Sequence, residues 1–294
     1  MDLVNVLEVV APHTEAERPS WQPGDSYVAG GTWLFSEPQP EVRRLIDLSN
    51  LSYTPIEEIG DELLIAGGCS YRELQGEGYR LADAASLTER AIRTLSSSFK
   101  TWGVATVGGN LCLAYPKSMM APLFTLLGAH YELLTPGGPV RMVPAREFQV
   151  GAQETIRRDG EYLRRIRIPR LALRGRFAHQ KLSYTATSHA TAMIMGRIGP
   201  APARANPSPG GGAEESRNGQ HRTARLVASA ATVRPVAIDL DPDLDEESVV
   251  AAVAAATAPV AVLSDGHGGE EYRREMLLYL SRLAWADLRA GGDL

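Results

Sequence analysis

The sequence predicts an α+β chain built in two parts, and three observations lead there. Short apolar runs closed by paired glycines fill the chain as far as Pro169, the pattern of buried strands stopping at tight turns. The texture changes near residues 171–176, where new strand-like runs and a glycine-rich tract begin. Two helical patterns then end the chain, one acidic in its first turn and one long and amphipathic.

Taken in order, Ser26-Tyr27-Val28-Ala29 and Leu63-Leu64-Ile65-Ala66 read as buried strands, each running into Gly-Gly (Gly30-Gly31 and Gly67-Gly68). Residues 87–95 have helical spacing, with Leu87, Ala91 and Leu95 on one face. Residues 122–127 read as a short helix with Pro122 in its first turn. Residues 129–134 and 140–143 form a hairpin pattern around Pro136-Gly137-Gly138, and residues 163–168 alternate as a strand halted by Pro169. Residues 181–195 suggest a strand pair. Residues 199–223 are rich in Pro, Gly, Ala, Asn and Ser; they cannot bury enough apolar surface to order themselves and read as a mobile loop. Strands at 224–230 and 233–238 and helices at 245–256 and 270–290 complete the chain. The expected division is a first domain over 1–172, itself split near 55–60, and a C-terminal domain over 173–294 with a small antiparallel sheet and helices.

The chain has 294 residues, of which 44% are hydrophobic and 22% charged, an ordinary globular composition. Its net charge is −5 and its basic residues are scattered, which argues against a nucleic-acid backbone as partner. Two cysteines, Cys69 and Cys112, cannot hold a four-thiolate iron–sulfur cluster or build a disulfide framework. Any cluster working with this protein therefore sits on another chain. The N-terminus lacks the basic region of a signal peptide and no apolar run has membrane length, so the reading is cytoplasmic. The six histidines show no metal spacing, and Ser96-Ser97-Ser98 reads as a helix end without a nucleophile elbow. The acidic run from Asp239 to Asp245 reads as a turn and helix cap, because the glycine and terminal glutamate of a calcium loop are missing. No acid–base constellation emerges, and no catalytic residue or metal ligand is assigned.

Two segments carry chemistry. In Tyr27-Val28-Ala29-Gly30-Gly31-Thr32-Trp33-Leu34, a strand ends in Gly-Gly-Thr and can present successive N–H groups to phosphate oxygens. Glycine allows close backbone approach and positive φ. By itself the segment is also what a plain turn looks like. In Thr106-Val107-Gly108-Gly109-Asn110 a second glycine pair follows β-branched residues, flanked by two hydrogen-bonding side chains. Together they suggest a diphosphate gripped from two sides. Neither is a Rossmann fingerprint or a Walker loop, so the ligand is expected to be held by loops.

In their order and spacing, Ala29-Gly30-Gly31-Thr32, Ala105-Thr106-Val107-Gly108-Gly109-Asn110 and Ala114-Tyr115-Pro116 resemble the FAD-binding domain of molybdopterin dehydrogenases, the medium-chain family of xanthine and carbon monoxide dehydrogenases. Phe148-Gln149-Val150-Gly151, Glu161 to Pro169, Ala224-Arg225-Leu226 with Pro235, and Tyr272-Arg273-Arg274 extend the resemblance over nearly the whole chain. The resemblance implies a two-subdomain flavin fold of the vanillyl-alcohol-oxidase kind, with FAD held between the subdomains. Residues 27–34 would wrap its pyrophosphate and residues 106–110 would complete the grip. Leu163 matches a position near the isoalloxazine, and Lys181 matches a lysine close to the ring, where a cation would favour anionic reduced flavin.

The family relationship also implies partners: a large subunit with the molybdenum cofactor and a small subunit with [2Fe-2S] clusters, assembled as a heterotrimer or a dimer of heterotrimers. The chain would relay electrons from the clusters to an external acceptor. Four positions depart from the family pattern. Met119 stands where Ser-Pro-x-x-Asp would place an aspartate contacting FAD, and Met accepts hydrogen bonds weakly. Thr185 and His189 stand where an arginine and an aspartate are expected, and Trp33 replaces a smaller residue. These departures leave room for two other functions, a self-contained flavin oxidase or reductase and a degenerate subunit with weak or no FAD.

Overall fold

The computed structural model describes residues 3–93, 100–185, 188–201 and 222–291. The expected helix end at Ser96-Ser97-Ser98 and most of the expected loop, including Gly210-Gly211-Gly212, lie outside the described residues.

The chain opens with β1 (Glu8–Val10), β2 (Asp25–Val28) and β3 (Arg44–Asp47), a small parallel sheet in the order β1-β3-β2. Next come β4 (Ile56–Ile59), β5 (Glu62–Ala66) and four helices: α1 (Tyr71–Gly76), α2 (Ala85–Arg93), α3 (Val107–Leu113) and α4 (Met120–Leu126). After them run β6 (His130–Leu134), β7 (Val140–Pro144), α5 (Ala145–Phe148), β8 (Gln149–Gly151), β9 (Glu154–Thr155) and β10 (Tyr162–Pro169). The antiparallel sheet β4-β5-β10-β6-β7 is the scaffold of this half. Its middle strand, β10, is the alternating run that the sequence marks out, stopped by Pro169 as anticipated.

The C-terminal half is an antiparallel meander of β11 (Arg176–Leu182), β12 (Ala192–Pro200), β13 (Arg222–Ser229) and β14 (Val236–Leu240), backed by α6 (Glu246–Thr257) and α7 (Glu270–Ala290). Side chains alternate faces along a strand. In β12, Ala192 and Ile194 pack under α6 and α7 with Trp285 and Leu288, while Met193 and Met195 join the main core with Phe124 and Val227. A strand buried on both faces carries no polar alternation, which is why Ala192-Met193-Ile194-Met195 reads as one apolar run.

The expected loop over 199–223 is too long at both ends. Gly199 pairs with Thr223 and Pro200 with Arg222, so β12 and β13 extend into it. Cross-strand pairing overrides the local composition there. The C-terminal helices match the expectation closely: Asp245 caps α6 by accepting from Ser248 N at 2.7 Å, and α7 spans residues 270–290. Arg273 is fully buried at the start of α7. It donates to the carbonyls of Gly268, Thr191 and Ala230 and pairs with Asp265 at 2.6 Å. Its guanidinium therefore joins the helix to two strand ends and a loop, and every buried donor it uses has an acceptor.

Candidate functional site

A cleft of about 1190 Å³ runs between the parallel sheet and the five-stranded sheet. It exceeds the roughly 300–1,000 Å³ of ordinary small-molecule pockets, as an extended ligand requires. One wall is the turn after β2, from Ala29 to Leu34; the other is the first turn of α3 with the end of β5 and the start of β10.

Glycines let these walls meet. A Cβ on Gly30 would lie 2.0 Å from the carbonyl oxygen of Val104, so the first glycine pair presses directly on the backbone leading into α3. A Cβ on Gly108 would lie 2.6 Å from Gly67 O, and one on Gly67 would lie 2.0 Å from Leu163 O. Hydrogen bonds secure the same approach: Gly108 N donates to Gly67 O at 2.8 Å, and Gly67 N donates to Arg164 O at 2.8 Å. A third glycine pair, Gly67-Gly68, thus belongs to the cleft. Its signal is present in the sequence, a strand ending in Gly-Gly, which by itself points only to a turn.

The amides divide unequally between the two walls. Among the described residues, the N–H groups of Gly30, Gly31, Thr32, Trp33 and Leu34 donate to no protein acceptor. Five consecutive free donors, with Gly31 at φ +64°, form the kind of concavity that holds anionic oxygens. The second segment differs from the expectation. It is no loop but the start of α3, capped by Thr106, whose hydroxyl accepts from Gly109 N at 3.1 Å. Val107 N donates to Cys69 O, Gly108 N to Gly67 O and Asn110 N to Thr106 O. Its amides are spent inside the protein. What it offers the cleft is bare surface at Gly109 and the side chain of Asn110; Gly108 is filled on its Cβ side by the Gly67 backbone. Two glycines after valine make a poor helix by propensity, and the contacts with residues 67–69 override it.

Of the residues singled out from the sequence, Tyr27, Val28, Ala29, Gly30, Gly31, Thr32, Trp33, Leu34, Thr106, Gly108, Gly109, Asn110 and Leu163 line this one cleft. Three do not. Val107 is fully buried in the core, as α3 turns it away from the ligand side. Met119 is 3% exposed and packs in the same core, just ahead of α4. Lys181 lies on β11, where its Nζ donates to Ser188 O at 3.2 Å and burial lowers its pKa. Thr185 and Ser188 close a local turn on each other. His189 packs edge-on against Tyr115, with ring centroids 5.6 Å apart, and Tyr115 in turn lies 6.5 Å from Trp33. Burial, with the nearby Lys117 ammonium, pushes the His189 pKa down.

Sequence reasoning missed other lining residues. The Tyr53 hydroxyl donates to Gly68 O at 2.8 Å, and burial pushes its pKa up to about 12. The 13–15 segment crosses to β10, where Glu15 accepts from Arg164 Nε at 2.6 Å and from the Tyr162 hydroxyl at 2.7 Å. Arg165 is paired with Glu57 at 3.3 Å. Arg157 and Arg158 line the cleft as well, Arg157 donating to Glu161 O at 3.2 Å, and they stand beside the free 30–34 amides as donors for an anionic ligand. No group of three or more potential metal-ligating side chains occurs among the described residues, and none of their helices is long and apolar enough to cross a membrane. A bare glycine floor, five unspent amides and the length of the cleft fit an extended dinucleotide such as FAD.

Comparison with known proteins agrees. Residues 7–171 match the family described as FAD binding domain in molybdopterin dehydrogenase. The chain is 30% identical over 241 residues to the carbon monoxide dehydrogenase medium chain of Afipia carboxidovorans, covering 82% of this chain and 79% of that one. It is 35% identical to xanthine dehydrogenase of Oryza sativa subsp. japonica over 66 residues, 22% of this chain and 5% of that protein. Among solved structures, reconstituted CO dehydrogenase from Oligotropha carboxidovorans superposes with a TM-score of 0.79 at 25% identity, over 99% of this chain and 100% of that one. Quinoline 2-oxidoreductase from Pseudomonas putida 86 shares the fold, with a TM-score of 0.76 at 20% identity over the full length of both chains. The chain belongs to the FAD-binding domain family of molybdopterin dehydrogenases. Within it, the chain is a medium, flavin-binding subunit of the carbon monoxide and xanthine dehydrogenase type, an oxidoreductase component whose cofactor is FAD.

Proposed function

We propose that this chain is the electron-transfer subunit of a molybdopterin-dependent hydroxylase or dehydrogenase complex. It takes electrons from the [2Fe-2S] clusters of a small partner subunit and passes them to an external acceptor. Substrate oxidation takes place on a large partner that carries the molybdenum cofactor. The observation that carries this reading is the convergence of the two glycine segments, Gly30 against the 104–105 backbone, on one cleft whose 30–34 amides are free. The likeness to a carbon monoxide dehydrogenase medium chain supports the partners, and two cysteines leave no four-thiolate site on this chain.

FAD bound here would supply redox chemistry that the side chains lack. In the proposed arrangement residues 30–34 donate main-chain hydrogen bonds to its pyrophosphate, Gly109 leaves it room, and Leu163 lies along its length. The Glu15–Arg164 pair and Tyr162 line the cleft beside it. Co-purification from cells expressing the neighbouring subunits tests the assignment. A flavin-containing complex that also carries molybdenum and iron is expected. Steady turnover of a substrate by the isolated chain would establish a self-contained flavoenzyme instead, and a colourless chain that still assembles would establish a subunit without FAD.

A further inference from the structure

The turn between α3 and α4 holds a buried polar contact that faces the cleft. Ser118 is 8% exposed, and its hydroxyl donates to Asn110 Oδ1 at 2.5 Å. Ser118 Oγ accepts from Met120 N at 3.3 Å, and Ser118 N donates to Tyr115 O at 2.9 Å, so the hydroxyl is anchored at the start of α4. A buried hydroxyl must place its proton, and Asn110 Oδ1 is the acceptor in reach. That choice settles which way round the Asn110 amide sits. With Oδ1 engaged, the two Nδ2 hydrogens are its donors, and among the described residues they have no protein acceptor.

We propose that Ser118 is a positioning residue that holds the Asn110 amide with Nδ2 turned to donate to an oxygen of the bound nucleotide. The proposal rests on the reading of this cleft as the FAD site. It follows from the division of amides between the two walls. The backbone of 107–110 is spent inside the protein, so Asn110 Nδ2 is the amide donor these four residues still offer the cleft. Ser118 keeps that donor from turning its acceptor end, Oδ1, toward phosphate.

The test uses the full-length chain stripped of FAD and titrated with FAD by fluorescence quenching, with thermal unfolding of the apo form measured beside it. Asn110→Ala should weaken FAD binding about tenfold, the worth of one hydrogen bond to a charged or strongly polar acceptor. Ser118→Ala should weaken it roughly fivefold, and the double variant should bind no worse than Asn110→Ala alone, because Ser118 acts through that side chain. Asn110→Asp separates positioning from mere packing. The Ser118 hydroxyl can still donate to the carboxylate, so apo stability should hold, yet the donor is gone and a negative charge faces the nucleotide. Binding should fall by about a hundredfold. Unchanged binding in Asn110→Asp, or additive losses in the double variant, would overturn the proposal. Failure of the wild-type chain to take up FAD at all would overturn the reading of the cleft instead.

Discussion

At the cleft, backbone meets backbone because side chains have been left out; behind the four-stranded sheet, side chains do the joining. Gly30, Gly67 and Gly108 each press on a main-chain atom of another segment, at distances no Cβ tolerates. In the C-terminal half, Trp285, Leu277, Leu280 and Leu288 on α7 fill the space against β11 and β12, and Arg273 fastens the helix end. The difference teaches where sensitivity to mutation should lie. Adding atoms harms the first region, and removing them harms the second.

The largest expected effect is in the helix-backed sheet. Trp285 is 2% exposed, and its indole donates to Leu244 O at 3.2 Å. Trp285→Ala should lower stability by about 3–5 kcal/mol, the usual cost of emptying a large aromatic site. Denaturant unfolding measures it. FAD affinity of the molecules that stay folded should be unchanged; flavin loss in step with the destabilisation would erase the distinction between the two regions.

Next comes Gly109→Val, which adds atoms where the cleft is bare. A Cβ there meets only the Thr106 hydroxyl, at 2.9 Å, whereas one on Gly108 meets the Gly67 backbone. Gly109→Val should therefore cut FAD affinity by about a hundredfold while the melting temperature moves little, and Gly108→Val should disturb the fold itself by about 1–3 kcal/mol. Equal flavin content in Gly109→Val and wild type would show that the ligand lies elsewhere.

The smallest effect tests the seam between the regions. Lys117, in the turn after α3, reaches Asp265 at 2.7 Å, and Asp265 is also held by Arg273 and the His267 amide. The Lys117 hydrogen bond is the largest cause holding the Asp265 carboxyl well below its usual range, with burial opposing it. A depressed acid stabilises the fold fully above its unfolded value of about 3.9, and the contribution is lost as pH falls below that toward the folded value. Asp265→Asn should thus be less stable than wild type at neutral pH, with the gap closing below about pH 4. A gap independent of pH would mean that the carboxylate's charge contributes nothing there.

Much of this organisation is legible in the residues. Period-two alternation at 163–168, the Gly-Gly strand ends, the Asp245 cap and the amphipathic run at 270–290 are local signals, and each reappears in the fold. The strand ends at Gly199 and Arg222 were not legible, since their order comes from cross-strand pairing and not from composition. Lys181 read as a residue near the flavin ring because it matches a lysine of the family, yet its ammonium is turned to Ser188 O, seven residues on.

By itself the sequence determined that the chain is α+β, that it holds too few thiols for a cluster, and that two glycine pairs stand ready for a close approach. Those are properties of residue type and spacing. Tertiary structure alone decided that a third pair, Gly67-Gly68, joins them, and that residues 107–113 form a helix. It also left the 30–34 amides free while those of 107–110 are consumed. The reason is physical: whether a donor is spent depends on which acceptor lies within about 3 Å of it, and the acceptors for Val107 N and Gly108 N come from Cys69 and Gly67, tens of residues away.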